Sequence, residues 1–389
     1  MSIAQRVVKV SAVTWLSTVL SMGMQLVSVP VCLHFWGRGT YGVWLALFAA
    51  FTMMRTIDGG YVTYVGNKIN ILYHRDQSQL KITLASAVYG VLLLGGLQLL
   101  VLVILYFTHS MGIIMDTNES DISVLNIFIA LVILSISWIS TGSYIGIVHR
   151  LQIPAGMMYQ AAWWSMGFQV TQFIGLMISA VLKLNILGAA FVYALFQALI
   201  YISSAIYIKI KLPVFYPWWN GANKEVGLTN LIKSIPITAG GILQQGGGSA
   251  LVMLVSGFLS PAVVPLYSTV RTLGNLWTTL INILTSALLP EVVRFHALKD
   301  REKILAVQKA HLLVMSATVN FSVLMFYPFI EYIFGIWTRH SLSLNKPLLD
   351  MLLATVPIIG IGALVNVYLS GINHYLFIIS TSAIRGGGV

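Results

Sequence analysis

The chain has 389 residues, of which 58% are hydrophobic and only 8% are charged, and its mean hydropathy is +0.86. Soluble domains carry about 25% charged residues, so this composition excludes a soluble protein. The formal net charge of +11 needs no nucleic-acid partner to explain it, because the Lys and Arg residues concentrate in alternate loops between apolar runs.

Apolar runs of about 20 residues cross a bilayer as helices. The sequence contains ten such runs, and an eleventh begins near His374 and stops with the chain. Barrel strands alternate in polarity, whereas these runs are continuously apolar, so we predict an all-α integral membrane protein with a polytopic topology. The predicted spans are 10–33, 41–66, 82–108, 122–148, 157–181, 186–208, 232–258, 262–289, 304–330 and 347–370.

Basic residues predict the orientation of these spans. One set of alternate loops holds fifteen Lys and Arg residues, and the other set holds four. Since basic residues in short loops stay on the cytoplasmic side, the amino terminus is predicted to lie inside the cell. The first span lacks a small-residue cleavage site and is interpreted as a retained helix.

A long loop around Pro213 and Pro217 divides the chain. We predict an N-terminal six-helix bundle over 1–210, a cytoplasmic linker over 211–231, and an incomplete C-terminal bundle of four to five spans over 232–389. A shift of 226 residues aligns Tyr41 with Tyr267. Six spans separate the two copies, so both point the same way, which predicts pseudo-symmetric parallel repeats around a central cavity.

The charged residues Arg55, Asp58 and Arg271 lie near the middle of predicted spans. A charge at a helix centre costs about 2.5–3.5 kcal/mol on insertion scales, so such residues usually serve a cavity, a partner or a substrate. Both arginines fall near middle depth, and their planar forks match phosphate oxygens. Two alternatives stay open for Asp58: a structural ion pair with Arg55 three residues away, or ion exchange during transport.

Amide side chains form a second group of candidate substrate contacts. An amide offers both donors and acceptors to sugar hydroxyls, although hydrogen bonding between helices explains many of them equally well. Glycines surround Gln244 and Gln245, and these glycines either let the helix bend or let helices pack closely. The amide candidates are Gln25, Gln244, Gln245, Asn275 and Asn282.

Two segments resemble a known family. They read Pro30-Val-Cys-Leu-His-Phe-Trp-Gly-Arg-Gly-Thr-Tyr41-Gly-Val-Trp44, continuing to Ile57-Asp58-Gly59-Gly60, and Ser286-Ala-Leu-Leu-Pro290-Glu-Val-Val-Arg294, continuing to Lys299-Asp-Arg-Glu-Lys303. In these segments the chain resembles the polysaccharide and O-antigen flippases of the multidrug, oligosaccharidyl-lipid and polysaccharide exporter superfamily. Family members commonly have twelve or more spans, so we expect this chain to be truncated, frameshifted or naturally short.

The resemblance implies a flippase for surface polysaccharide, including the O-antigen of lipopolysaccharide. Its substrate would be a polyprenyl-diphosphate-linked oligosaccharide, moved from the cytoplasmic to the periplasmic leaflet of the bacterial inner membrane by alternating access with ion coupling. Membrane lipids, a polysaccharide polymerase and a chain-length regulator are the partners it suggests. Asp58 is the ion-coupling candidate, and no cofactor is implied.

Other functions are weighed against this interpretation. A drug or metabolite exporter of the same superfamily would favour cationic substrates and buried acids, and a channel or lipid scramblase would work without a gradient. A membrane-embedded polymerase or acyltransferase is a further alternative, but the sequence lacks a long outer loop and the common hydrolase motifs. Cys32 is the only cysteine and no two histidines are spaced as metal ligands, so neither catalytic nor metal residues are predicted.

Overall fold

A computed structural model of the protein describes residues 3–114, 122–242, 247–286 and 300–371. Most of these residues are helical and none lies in a strand, which confirms the all-α prediction. The α-helices are α1 (Ile3–Arg75), α2 (Gln77–Phe107), α3 (Ser110–Ile114), α4 (Val124–Ser137), α5 (Tyr144–His149), α6 (Met158–Val181), α7 (Ile186–Lys211), α8 (Lys224–Gly241), α9 (Gly247–Phe258), α10 (Val264–Ser286), α11 (Arg301–Phe326), α12 (Ile330–Trp337) and α13 (Lys346–Gly371). The predicted eleventh span lies outside the described residues.

Several helices are long and apolar enough to cross a bilayer. Within the described residues there are six such stretches, one of which, Ala12–Arg75, has 64 residues. At 1.5 Å per residue that stretch is about 96 Å long, enough for two crossings. The protein is therefore a multi-pass membrane protein. Predicted spans 157–181 and 262–289 form helices α6 and α10, but their polar residues keep them outside this apolar set.

Gly37 interrupts α1 at the place where the sequence predicts an outer turn. Its φ of 71° and ψ of −179° are non-helical, so α1 consists of two helices joined at this residue. A positive φ is strained for residues with a Cβ and free for glycine. The predicted spans 10–33 and 41–66 correspond to the two arms.

The helices divide into two packed units. The first comprises 1–242 with 249–264, and the second comprises 243–248 with 265–389. This division falls later in the chain than the predicted linker 211–231, because α8 packs against α1 and α2 within the first unit. The predicted bundles 1–210 and 232–389 describe repeat topology and stay a prediction.

Close approaches hold α8 in the first unit. A Cβ at Gly60 of α1 would collide with the Thr238 backbone of α8, and a Cβ at Gly227 of α8 would meet the Ser86 carbonyl oxygen of α2. The backbone N–H of Asn223 also donates to Ser86 Oγ at 2.8 Å, just before α8 begins. Small residues thus let three helices pack backbone to backbone.

The core of the first unit surrounds the second arm of α1. Trp44, Leu47 and Phe51 are almost fully buried there. They pack with α4 and α7 in one cluster of apolar side chains. The arm that carries Arg55 and Asp58 is therefore fixed by packing on several sides.

Candidate functional site

Asp58 is the most completely buried charged residue of the predicted site. Its side chain is only 1% exposed. Gln98 Nε2 of α2 donates to Asp58 Oδ1 at 2.6 Å, and Trp138 Nε1 donates to Oδ2 at 2.8 Å. Both carboxylate oxygens are thus satisfied by neutral donors from two other segments, as burial of an acid requires.

Arg55 lies one helical turn before Asp58 and uses the face of its guanidinium group. The Cζ atom lies 3.9 Å from the centre of the Trp138 ring and 5.5 Å from that of Phe51. Both distances are typical of cation–π contacts. No ion pair within 4 Å joins Arg55 to Asp58, so the structure does not form the contact ion pair that the sequence left open.

Trp138 connects these two charged residues, and sequence reasoning missed it. Its indole N–H binds Asp58, and its ring carries Arg55. It opens a π-helical segment, Trp138–Ser143, between α4 and α5. Such segments occur mostly as single-turn bulges, often at functional sites. One signal was available: this tryptophan lies well inside a predicted span, whereas most membrane tryptophans lie at the interfaces.

An apolar cavity of about 320 Å³ adjoins this polar group. It lies between α1, α2, α3, α4 and α9, all within the first unit. Gln98 is its polar lining residue, and that side-chain amide is already bound to Asp58 and, at 3.1 Å, to the Met54 carbonyl oxygen. The remaining lining side chains are Ala50, Met53, Met54, Ile57, Leu97, Val101, Leu102, Leu105, Met111, Leu131 and Met253.

Arg271 belongs to the second unit and lies on α10. Its Nη1 donates to the Gly248 carbonyl oxygen at 2.5 Å, and its Cζ lies 5.8 Å from the centre of the Tyr267 ring. The side chain is half-buried. As with Arg55, no carboxylate of the described residues lies within ion-pair distance.

Two predicted amides accompany Arg271 on α10. Asn275 and Asn282 are both exposed, and spacings of four and seven residues place them along one face with Arg271. Gln25 of α1 is also exposed and lies in the other unit. Gln244 and Gln245 fall outside the described residues, so the structure gives them no position.

Other amides within the membrane spans form hydrogen bonds between helices. This is the structural role that the sequence left open as an alternative to substrate binding. Tyr193 Oη of α7 donates to Gln172 Oε1 of α6 at 2.9 Å. Gln197 Nε2 of α7 donates to Ser137 Oγ of α4 at 3.4 Å. These amides stabilise helix packing in the first unit.

Comparison with solved structures identifies the fold. A structure described as the "Inward-facing conformation of a multidrug resistance MATE family transporter of the MOP superfamily" matches with a TM-score of 0.67 and 13% identity, over 94% of this chain and 84% of that chain. A second, described as the "Crystal structure of MATE in complex with MaL6", matches with a TM-score of 0.57 and 12% identity, over 97% and 86% of the two chains.

The comparison shows that the protein has the fold of MATE transporters, which confirms the predicted polytopic helical transporter architecture. No family model matches the sequence. The search of curated proteins also gave no match.

Proposed function

We propose that the protein is a flippase for a polyprenyl-diphosphate-linked oligosaccharide. The observation that carries this proposal is the state of Arg55: a guanidinium at the middle of a membrane span that forms no ion pair within 4 Å with a carboxylate of the described residues. A cation kept at this depth needs a function, since burying it is costly. Asp58 interacts with Arg55 electrostatically without direct contact, and an anionic lipid headgroup would supply a direct counter-charge.

The geometry of Arg55 suits a phosphate ligand. Its closest aromatic contact places the guanidinium carbon over the Trp138 ring, and no hydrogen bond to a described residue occupies its N–H groups, so these remain for oxygen atoms. Arginine has five such donors in a planar fork, which binds phosphate in a bidentate manner. Arg271 is a separate candidate contact in the second unit, where Asn275 and Asn282 offer hydrogen bonds to sugar hydroxyls.

The cavity beside Asp58 supports an amphiphilic substrate. Its volume of about 320 Å³ is about twice the roughly 150 Å³ of an apolar cavity that takes up benzene, so it accommodates on the order of a dozen carbon atoms. A lipid carrier has both an anionic group for Arg55 and hydrocarbon for this space.

Asp58 is our candidate for ion coupling. It is a buried carboxylate that accepts hydrogen bonds from the neutral side chains of Gln98 and Trp138. Among these residues and Arg55, only Asp58 can change its charge, since arginine stays protonated. We place the protein in the bacterial inner membrane with a cytoplasmic amino terminus. A polymerase and a chain-length regulator would act with it in building the polysaccharide.

Export of a drug or metabolite is the second candidate function. The two matching structures are described as MATE transporters, one of them a multidrug resistance transporter. The buried acid Asp58 beside an apolar cavity fits a cationic, apolar compound as well. Substrate charge separates the two functions: a flippase of an anionic lipid depends on Arg55, whereas export of a cation depends on Asp58 and tolerates loss of Arg55.

Deletion of the gene tests the proposal. We expect lipid-linked repeat units to accumulate in the inner leaflet of the deletion strain, and wild-type protein to restore export. An Arg271→Ala variant present at normal membrane levels should fail to do so. Normal surface polymer in the deletion strain would refute the flippase assignment, and full rescue by the variant would refute the role of Arg271.

A further inference from the structure

Two lysines lie together at the seam between α1 and α8. Lys68 Nζ donates to Asn230 Oδ1 at 3.0 Å. Lys233 lies one helical turn after Asn230 on α8, on the same side of that helix, so that its positive charge repels that of Lys68. No carboxylate of the described residues forms an ion pair within 4 Å with either lysine. Like charges this close are unfavourable unless an anion joins them.

Asn230 makes this seam a built site. The residue is 0% exposed, yet its side-chain nitrogen has no hydrogen-bond partner in the described structure. A buried polar group without a partner costs about 1–3 kcal/mol, so such groups usually have an unseen one. Lys68 uses one of its three N–H groups on Asn230, which leaves two for another acceptor.

The helices fix this arrangement. Gly60 meets Thr238 and Lys68 meets Asn230, so the contact advances by eight residues along α1 while it goes back by eight along α8. The two helices therefore run antiparallel, and close packing at Gly60 holds the seam in register.

The helix end and nearby aromatic residues indicate that the seam lies near the membrane surface. Lys68 is seven residues, about 10 Å, before the end of α1 at Arg75, and Tyr73 between them packs against Phe215 with ring centres 5.7 Å apart. The following residues form an aromatic group in which Tyr216 contacts Trp218 and Trp219 at 5.4 and 5.6 Å. Tyrosine and tryptophan concentrate at membrane interfaces.

We infer that Lys68 and Lys233 bind the phosphodiester headgroup of an anionic phospholipid, with the buried Asn230 holding the Lys68 ammonium in place. The site is separate from Arg55 and Arg271. The inference therefore does not depend on which substrate the protein transports. Lysines near a membrane surface attract anionic lipid, and this pair adds a fixed position. The bound lipid would bridge α1 and α8 and stabilise the first unit.

Binding of a fluorescent phosphatidylglycerol to the purified full-length protein in neutral detergent tests this inference. We expect the double variant Lys68→Gln, Lys233→Gln to bind roughly thirtyfold more weakly, the loss expected for two lysines near a headgroup. The control variant Lys81→Gln, Lys211→Gln removes the same charge from two exposed positions and should bind within about twofold of wild type. An Asn230→Asp variant should also lose binding, because its carboxylate would occupy both ammonium groups while preserving the side-chain shape.

Three results would overturn the inference. Equal binding by wild type and the Lys68/Lys233 variant would show that the seam holds no lipid, and equal loss in the control variant would show only diffuse charge attraction. Phosphatidylcholine and a short prenyl diphosphate serve as competitors. Displacement of the fluorescent lipid by a far lower concentration of the diphosphate than of unlabelled phosphatidylglycerol would assign the site to the diphosphate of a lipid carrier instead.

Discussion

Arg55 is held by the face of its guanidinium, and this detail determines how it can be replaced. Lysine keeps the charge but has no planar fork for bidentate binding, and its compact ammonium is more strongly hydrated than a guanidinium. We expect Arg55→Lys to reduce transport of a lipid-linked oligosaccharide about tenfold or more, as loss of a charge-assisted hydrogen bond predicts. Substrate export measured at matched membrane levels checks this, and unchanged export would contradict phosphate binding at Arg55.

Asp58 permits a test of stability with a matched control. In Asp58→Asn the amide nitrogen must face either Gln98 Nε2 or Trp138 Nε1, so one buried donor loses its acceptor at a cost of about 1–3 kcal/mol. Asp350 is exposed and accepts one hydrogen bond from Tyr327 at 2.8 Å, so Asp350→Asn should change the free energy of unfolding by less than about 0.5 kcal/mol. Denaturant unfolding in detergent compares the two, and equal effects would be evidence against the buried network.

Sequence reasoning found Arg55 and Asp58 because each charge breaks an apolar run, which is visible without any structure. It could not find their partners. Trp138 contacts them although it is 80 residues beyond Asp58 in the sequence. It lies in a π-helical segment, which no periodic sequence pattern indicates. The Lys68–Asn230 contact likewise depends on how α1 and α8 pack. Both residues lie outside the predicted spans, where sequence indicates only charge, so the sequence does not predict the contact.

At the scale of elements, the contact between α1 and α8 rests on the absence of a side chain at Gly60. A methyl group there would meet the Thr238 backbone, whereas Gly59 has open space around it. Replacement by alanine raises the helix propensity equally at both positions, so the difference in stability between the two variants reports the contact with Thr238 alone. We expect Gly60→Ala to be less stable than Gly59→Ala by about 1–3 kcal/mol, the usual cost of overpacking. Equal thermal unfolding of the two variants would contradict the close approach.

The cavity allows a second comparison between paired positions on α2. Leu97 and Leu100 are 48% and 54% exposed, but only Leu97 lines the cavity. Leu97→Trp should fill part of the space and slow transport several-fold, while Leu100→Trp should leave transport within about twofold, because exposed substitutions rarely disturb a fold. Initial rates in membrane vesicles measure both. Equal rates for the two variants would exclude the cavity from the transport path.

The helical elements themselves were largely predictable. Apolar runs located the arms of α1, and the Gly-rich turn between them is the kink at Gly37. Where α8 packs was not predictable, because its sequence is polar at the start and its contacts rely on Gly60 and Gly227 meeting backbone from distant segments. For that reason the first unit includes α8.

For the whole molecule, the composition predicted a multi-pass helical membrane protein, and the MATE fold agrees with it. A fold of this kind does not select a substrate, since function resides in the site rather than the architecture. The choice between an anionic lipid and a cationic compound depends on which charged residue of the first unit meets the substrate.

Transport by purified protein in liposomes tests that choice most directly. The substrates are a fluorescent polyprenyl-diphosphate-linked oligosaccharide and a lipophilic cation, each measured with wild type, Arg55→Ala and Asp58→Asn. We predict that wild type moves the anionic lipid between leaflets and that Arg55→Ala abolishes this movement. Transport of the cation alone, with Arg55→Ala as active as wild type, would contradict the proposed flippase.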